Sequence, residues 1–289
     1  MHALRDEHSV VMMCKVLSVS KSGYYKWRQA RTRETERAHD RKKMKRLIRK
    51  SFYLSDGTYG SPRVHDDLLN WGHVISQKTV ARMMKEMGLR ATPEVNYLTT
   101  TDSNHDQKIY PNLLNRNFHQ DAPNKAWVTD MTYIWTLEGW IYLASVIDLF
   151  SRKVIGWHMA TTLKTELPLQ TLKMAIMKRQ PEEGLIHHSD RGSQYCSGDY
   201  TELLKEHKMQ ISMSRKGDPY DNACMESFHA TLKKELVYRR RFKSRKEAIH
   251  AINHYISRYN QWRKHSSLGY CSPSQVEHLY QVEQAEKSS

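Results

Sequence analysis

Nothing in this 289-residue chain approaches the roughly 18–20 consecutive apolar residues that cross a bilayer, and the opening MHALRDEHSV lacks the hydrophobic stretch of a secretion signal. The expectation is a cytoplasmic protein with no membrane partner. Cysteine is scarce too. Cys14, Cys196, Cys224 and Cys271 lie far apart and form no CxxC pair, which argues against a disulfide framework and a structural zinc knuckle and leaves ordinary reduced thiols. Acidic charge is in deficit, with 31 Asp and Glu against 46 Lys and Arg, a formal net charge of +15. That balance favours a polyanionic partner over a neutral small molecule, and nucleic acid is the leading class. The deficit is uneven: residues 1–92 hold 20 basic and 9 acidic side chains, residues 93–289 hold 26 and 22. The front segment is therefore expected to do most of the gripping.

Histidine is plentiful, at 16 residues. The pair His187-His188, however, falls inside the strand-like LIHHSD, where neighbouring side chains point to opposite faces and cannot easily grip one metal.

The pattern along the chain divides it into parts. VVMMCKVLSVSKSGYYKWRQA (10–30) reads as a short apolar helix, a Ser-rich turn and a second aromatic-bearing helix opened by Ser22-Gly23, in the manner of a helix-turn-helix. RKKMKRLIRK (41–50) places Met44, Leu47 and Ile48 at helical spacing among seven basic residues. After the turn DGTYGSPR, which carries Arg63, one helix is marked by Val64, Leu68 and Leu69. A second starts at Ser76, a plausible N-cap, and would present Gln77, Lys78 and Arg82 to a major groove. Residues 93–120 have no sustained periodicity and read as a linker.

β-Branched and aromatic runs then begin. WVTDMTYIW (127–135), WIYLASVIDLF (140–150) and RKVIGWHMAT (152–161) predict three meandering antiparallel strands. A helix around 166–180, a strand at 185–190, a helix at 198–208 and a strand at 210–214 follow. Helices at 222–237 and 245–260 close the pattern. The fold class is α/β, a mixed five-stranded sheet with flanking helices, preceded by small all-helical modules. The expected domains are 1–92 for DNA binding, 93–120 as linker, 121–237 as core, and 238–289 as a basic loop with a C-terminal helical extension.

Three carboxylates stand in unusual places. Asp130 sits mid-strand, where aspartate is disfavoured and an unpaired charge is expensive to bury. Asp190 lies where a strand ends, a usual location for function in such sheets. Glu226 falls in the first turns of a helix opened by Asp221 or Asn222, ahead of the stripe Phe228, Leu232 and Leu236, and is expected to face the sheet edge and not open water. Each has an ordinary alternative: Asp130 paired with a buried Arg, Asp190 starting a turn before Gly192, Glu226 complementing the helix dipole. Together they can converge to bind hard cations through oxygen. Two divalent ions about 3.5–4 Å apart support in-line phosphoryl displacement with no Ser or Tyr nucleophile. Lys233, seven residues after Glu226 and on nearly the same helix face, could hold a phosphate there. YRRRFKSRK (238–246), with Arg239, Arg240, Arg241 and Lys243, suits a DNA backbone.

Beyond these readings, GTYGSPRVH, WVTDMTYI, YLASVIDLFSRKVIGW, HSDRGSQY, SRKGDPYDNACMESFHATLKKE and YNQWRKHSSLGYCSP resemble the second-reading-frame product of the third family of bacterial insertion-sequence transposases. The likeness spans about 57–275, and a shorter one at MCKVLSVSKSGYYKW extends it almost to the start. The family's DDE set has 35 residues between its second Asp and its Glu, as between Asp190 and Glu226 here. The resemblance implies a ribonuclease-H-like core akin to retroviral integrases, with two Mg²⁺ or Mn²⁺ ions on Asp130, Asp190 and Glu226, and Lys233 as the basic residue after the Glu. It implies hydrolytic nicking at an element end, followed by attack of the 3′ hydroxyl on another strand. Implied partners are DNA, further copies of the chain, and an upstream-frame product that would supply a coiled coil; this chain has no long heptad run. The rival readings are a DNA-binding regulator without catalysis and a nuclease on the same fold that never joins.

Overall fold

The computed structural model describes residues 1–32, 36–91 and 107–288. The chain forms two compact units, Met1–Ala91 and a second that runs to the C-terminus.

The first unit is helical: α1 Val10–Val16, α2 Lys21–Thr32, α3 Glu36–Leu54, α4 Ser61–Asn70 and α5 Gln77–Glu86. The α2 start is capped from Ser20, whose hydroxyl accepts from Gly23 N at 3.0 Å, so the helix opens ahead of the expected Ser22-Gly23. Ile48 and Phe52 of α3, Val64 and Leu68 of α4, and Val80, Met83 and Met84 of α5 meet in one small core. Leu69, expected beside Leu68, is exposed, because the α4 stripe turns past it. Ser76 caps α5 as the sequence suggested, accepting from Thr79 N at 3.2 Å.

The second unit is built on β1 Ala126–Thr136, β2 Gly139–Asp148, β3 Val154–Ala160, β4 Ile186–Ser189 and β5 Gln210–Met213, in the order β3-β2-β1-β4-β5. β1–β2 and β2–β3 are antiparallel, β1–β4 and β4–β5 parallel. This is the mixed ribonuclease-H-like sheet expected. The tight β1–β2 turn uses Gly139 at φ 103°, a conformation that costs glycine little.

Alternation along β1 divides the core. Trp127 joins Leu172 and Ala175 of α6 (Glu166–Arg179) and Tyr200 and Leu204 of α8 (Gly198–Glu206) on one face; the short α7 (Ser193–Cys196) adds Tyr195 and Cys196. Ala126, Val128 and Ile134 face Met225, Phe228 and Leu232 of α9 (Ala223–Glu235) and Ala248, Ile252 and Tyr255 of α10 (Arg245–Gln261). At Gly156 a Cβ would come within 2.5 Å of Thr171 O, so α6 rests directly on the β3 backbone.

Three findings differ from the expectations. The linker's first part, 93–106, lies outside the described residues. Residues 107–120 are irregular yet packed: Leu114 is 2 % exposed, and the amides of Leu113 and Leu114 both donate to Ser212 Oγ. The C-terminal helices are not appended to the core, because α10 completes one of its faces. A further helix, α11 (Pro273–Ser288), is held by Glu277, which takes Arg179, Lys153 and Ser151 as partners.

Candidate active site

β1 is the central strand, and its parallel register with β4 runs Ala126↔Ile186, Trp127↔His187, Val128↔His188. Asp190 follows β4 by one residue; continued two steps, this register would bring it opposite Asp130. Asp130 shares the parity of Val128 and hence the α9/α10 side of the sheet. It is half-buried: Oδ1 accepts from Met131 N at 2.8 Å, and Oδ2 lies 3.4 Å from His229 Nδ1. Asp190 Oδ1 accepts from Gly192 N at 2.9 Å, so the turn suggested as its ordinary role is made as well.

The helix carrying Glu226 is tied to this point. Asn222 Nδ2 donates to Thr129 O at 3.1 Å, next to Asp130, so α9 starts against the middle of β1. Asn222, at the N-cap, makes no side-chain capping bond, and Asp221 serves differently. Its carboxylate, with no exposed surface, accepts from Arg215 N, Nε and Nη2, from Arg116 Nε and from Asn112 Nδ2 at 2.7–2.9 Å. Those bonds, Arg215's foremost, hold its ionisation well below the usual carboxylate range despite opposing desolvation. The α9 start is thus fastened from both sides: Asp221 to the segment 112–116, Asn222 to β1.

Glu226 is exposed, contrary to the expectation that it would turn from open water, since the buried stripe of α9 is Met225, Phe228, His229 and Leu232. Partial desolvation and then the charge of Asp130 push its carboxyl up, with His229 opposing. Lys233, two turns on, has Nζ 4.5 Å from the centre of the Tyr133 ring. Burial lowers its pKa, while Tyr133 and Asp130 raise it. Both aspartates also act on the buried Tyr195, whose ionisation is raised by burial first, then by Asp130, Tyr200 and Asp190. Asp130, Glu226 and Lys233 therefore act on one another near the middle of β1, and Asp190 shares with Asp130 its effect on Tyr195.

Among the described residues, no group of three or more His, Cys, Asp or Glu side chains is arranged as a ready metal cage. The donor chemistry nevertheless suits a hard divalent cation. All three ligands would be carboxylate oxygens, and the upward push on Glu226 by Asp130 reports negative charge that a cation would offset. His187 and His188 serve the fold: His187 meets Tyr200 OH at 3.3 Å, and His188 meets Ser212 Oγ and Ser214 Oγ at 2.8 and 3.1 Å. Burial lowers their pKa values to about 3 and about 4.

In the helical unit, α5 buries Val80, Met83 and Met84 and exposes Gln77, Lys78 and Arg82. Arg63 lies over the Tyr59 ring at 5.5 Å. In the second unit Arg239, Arg240, Arg241 and Lys243 are exposed, while Phe242 between them is buried.

Family models match three stretches: an integrase core domain over 120–219, a second integrase core domain over 207–273, and an HTH-like domain over 38–95. The chain is 42 % identical over 272 residues to "Transposase InsF for insertion sequence IS3A" of Escherichia coli (strain K12), covering 94 % of both chains. The chain belongs to the insertion-sequence transposases of the third family. This transposase is also 42 % identical over 269 residues to "Insertion element IS600 uncharacterized 31 kDa protein" of Shigella sonnei, covering 93 % of this chain and 98 % of that one. Among solved structures it is similar to the integrase catalytic core domain of HTLV-2 in complex with magnesium, with 18 % identity, 55 % of this chain and 99 % of that one covered, and a TM-score of 0.44. The protein is thus a polynucleotidyl transferase acting on DNA in transposition and integration. Among its described residues, no helix is long and apolar enough to cross a membrane.

Sequence reasoning passed over several residues around the transposase's carboxylates. His229 lies three positions after Glu226, and helical periodicity alone would have set it on the adjoining face. Arg116 and Asn112 carried no signal, because their partner Asp221 is more than a hundred positions away.

Proposed function

We propose that the transposase nicks element ends and joins them to target DNA at a site where Asp130, Asp190 and Glu226 hold two divalent cations, Mg²⁺ or Mn²⁺. When bound, such a pair supplies Lewis-acid stabilisation for the attacking and leaving oxygens of an in-line phosphoryl displacement. The chain supplies the rest. Asp130 offers oxygens from the middle of β1 and Asp190 from just past the end of the neighbouring β4, and Glu226 approaches from a helix whose start is fastened to Thr129. Lys233, on a flexible stem over Tyr133, is free to swing to a non-bridging phosphate oxygen. Water attacks first and releases a 3′ hydroxyl; that hydroxyl then attacks the target strand. Neither displacement needs a covalent bond to the protein.

Recognition is assigned to the helical unit, with Gln77, Lys78 and Arg82 of α5 in the major groove and Arg63 beside them on the backbone. Arg239, Arg240, Arg241 and Lys243 carry the phosphates next to the site. The working form is an assembly of several copies on DNA in the cytoplasm, with an upstream-frame product supplying a coiled coil.

The observation that supports the reading is that the helix carrying Glu226 starts against Thr129, next to Asp130, whose charge acts on both Glu226 and Lys233. The test incubates the transposase with labelled element-end duplexes and Mg²⁺. Nicks and joined products are expected from the wild type. Asp130→Asn, Asp190→Asn and Glu226→Gln should each abolish both products and keep DNA binding. Binding without any metal-dependent product would favour a regulator, and nicks without joining a nuclease.

A further inference from the structure

The β1–β2 hairpin runs past the end of β4 and carries aromatic side chains that the core does not absorb. Trp135 and Trp140 are direct cross-strand partners, 54 % and 43 % exposed, with ring centroids 4.8 Å apart at 70°. Tyr133, two residues before Trp135 and so on the same face, meets Trp140 edge-on at 5.1 Å. Large aromatic rings held in tiers on a rigid hairpin and left in water are costly unless something stacks on them.

The surroundings name the occupant. The basic run is stitched to this hairpin: Phe242 is buried and forms a parallel bridge with Thr136, and its carbonyl accepts from Leu137 N at 3.0 Å. Arg245 Nε reaches Trp140 O at 3.3 Å, and its amide engages the Glu138 carboxylate at 2.8 Å, so the acid at the tip is already occupied. Arg241 and Lys243, on either side of Phe242, are exposed, as are Arg239 and Arg240 before them. Lys233 closes the other end over Tyr133. Aromatic faces fringed with cations and floored by β-strand are the means by which proteins hold unpaired bases while neutralising their phosphates.

We propose that Tyr133, Trp135 and Trp140 form a stacking platform for one or two unpaired nucleobases of the DNA strand leaving the active site, with Arg239–Arg241 and Lys243 on its phosphates. This rests on the assignment of Asp130, Asp190 and Glu226 as the centre of strand cutting and joining. The platform gives the enzyme a preference for a frayed or single-stranded end over a closed duplex.

The test measures affinity of the full chain, in EDTA, for a blunt duplex and for the same duplex carrying a three-nucleotide overhang with 2-aminopurine at its first position. Wild type should bind the overhang more tightly and quench the probe. Trp135→Ala and Trp140→Ala should each lose about tenfold in affinity for the overhang and release the quench, with blunt binding unchanged; Trp135→Phe should recover most of both. Equal losses on both duplexes, or none, would overturn the platform. So would a change in oligomeric mass by light scattering in Trp135→Ala without any overhang effect, which would make the face a contact between copies. Because binding is read without metal, an overhang preference in a protein that never joins DNA would keep the platform and overturn only the cutting-and-joining assignment. Joining without an overhang preference would do the reverse.

Discussion

Replacing Asp221 by asparagine removes one negative charge from the knot that fastens the start of α9. The carboxylate accepts five hydrogen bonds, from Arg215, Arg116 and Asn112, with none of its own surface exposed. Removing one partner of a fully buried ion pair costs about 3–5 kcal/mol. Both guanidinium groups are close to half exposed here and can turn to water, so the cost falls below that range, to about 2–3 kcal/mol. For a unit of this size the melting temperature should fall by roughly 5–10 °C at neutral pH. The pH dependence has a definite sign. A depressed folded-state pKa gives stability that is fully present above the ordinary carboxylate value and lost only as pH falls on through the folded value, so the gap between wild type and Asp221→Asn should begin to narrow below about pH 4 and be partly reduced at pH 3. Thermal melts by circular dichroism at pH 7 and pH 3 read both. Because the same knot positions Glu226, strand joining at low temperature should fall with stability. A variant that melts within a degree of wild type at pH 7 would refute the claim that this cluster holds α9.

Three further outcomes follow from the same geometry. His187, buried and neutral with a pKa of about 3 against an ordinary value near 6.5, contributes stability that is complete above 6.5 and lost as pH falls below it; urea denaturation at pH 7 and pH 5 should differ by about 2 kcal/mol from this residue, and His187→Phe should remove that part of the slope. Gly156→Ala drives a methyl against Thr171 O and the Ala175 side chain, so the melting temperature should drop by the equivalent of about 1–3 kcal/mol; an unchanged value would contradict the close α6–β3 packing. Changing Arg239, Arg240 and Arg241 together to Gln should reduce the slope of log affinity against log salt by roughly 2–3, and an unaltered slope would remove them from the DNA path.

What the sequence made legible was whatever rests on short-range pattern. The strands showed because Val, Ile, Tyr and Trp alternate or cluster between turns, and Asp130 stood out because charge in such a run is anomalous. The amphipathic faces of α6, α9 and α10 followed from periodicity, and the buried residues Leu172, Phe228, Leu232 and Ile252 bear that out. What was hidden depends on long-range pairing between polar groups. Helix α11 has no apolar stripe to read, since among its described residues only Pro273 and Glu277 are buried, and it is held by ionic contacts to Arg179 and Lys153, about a hundred positions away. Residues 107–120 look like a linker because their contacts follow no period and reach distant partners: Leu114 in the core, the Leu113 and Leu114 amides on Ser212, Asn112 and Arg116 on Asp221. The exposure of Glu226 depends on where the α9 stripe faces the sheet, which its spacing from Phe228 alone does not fix.

The most direct measurement of the central claim is a titration of Mn²⁺, followed by electron paramagnetic resonance, into the full chain bound to an element-end duplex. Two tightly bound ions per chain are expected for wild type, with at least one lost in Asp130→Asn, Asp190→Asn and Glu226→Gln alike. Stoichiometry unchanged by all three substitutions would contradict a cation site built from these carboxylates.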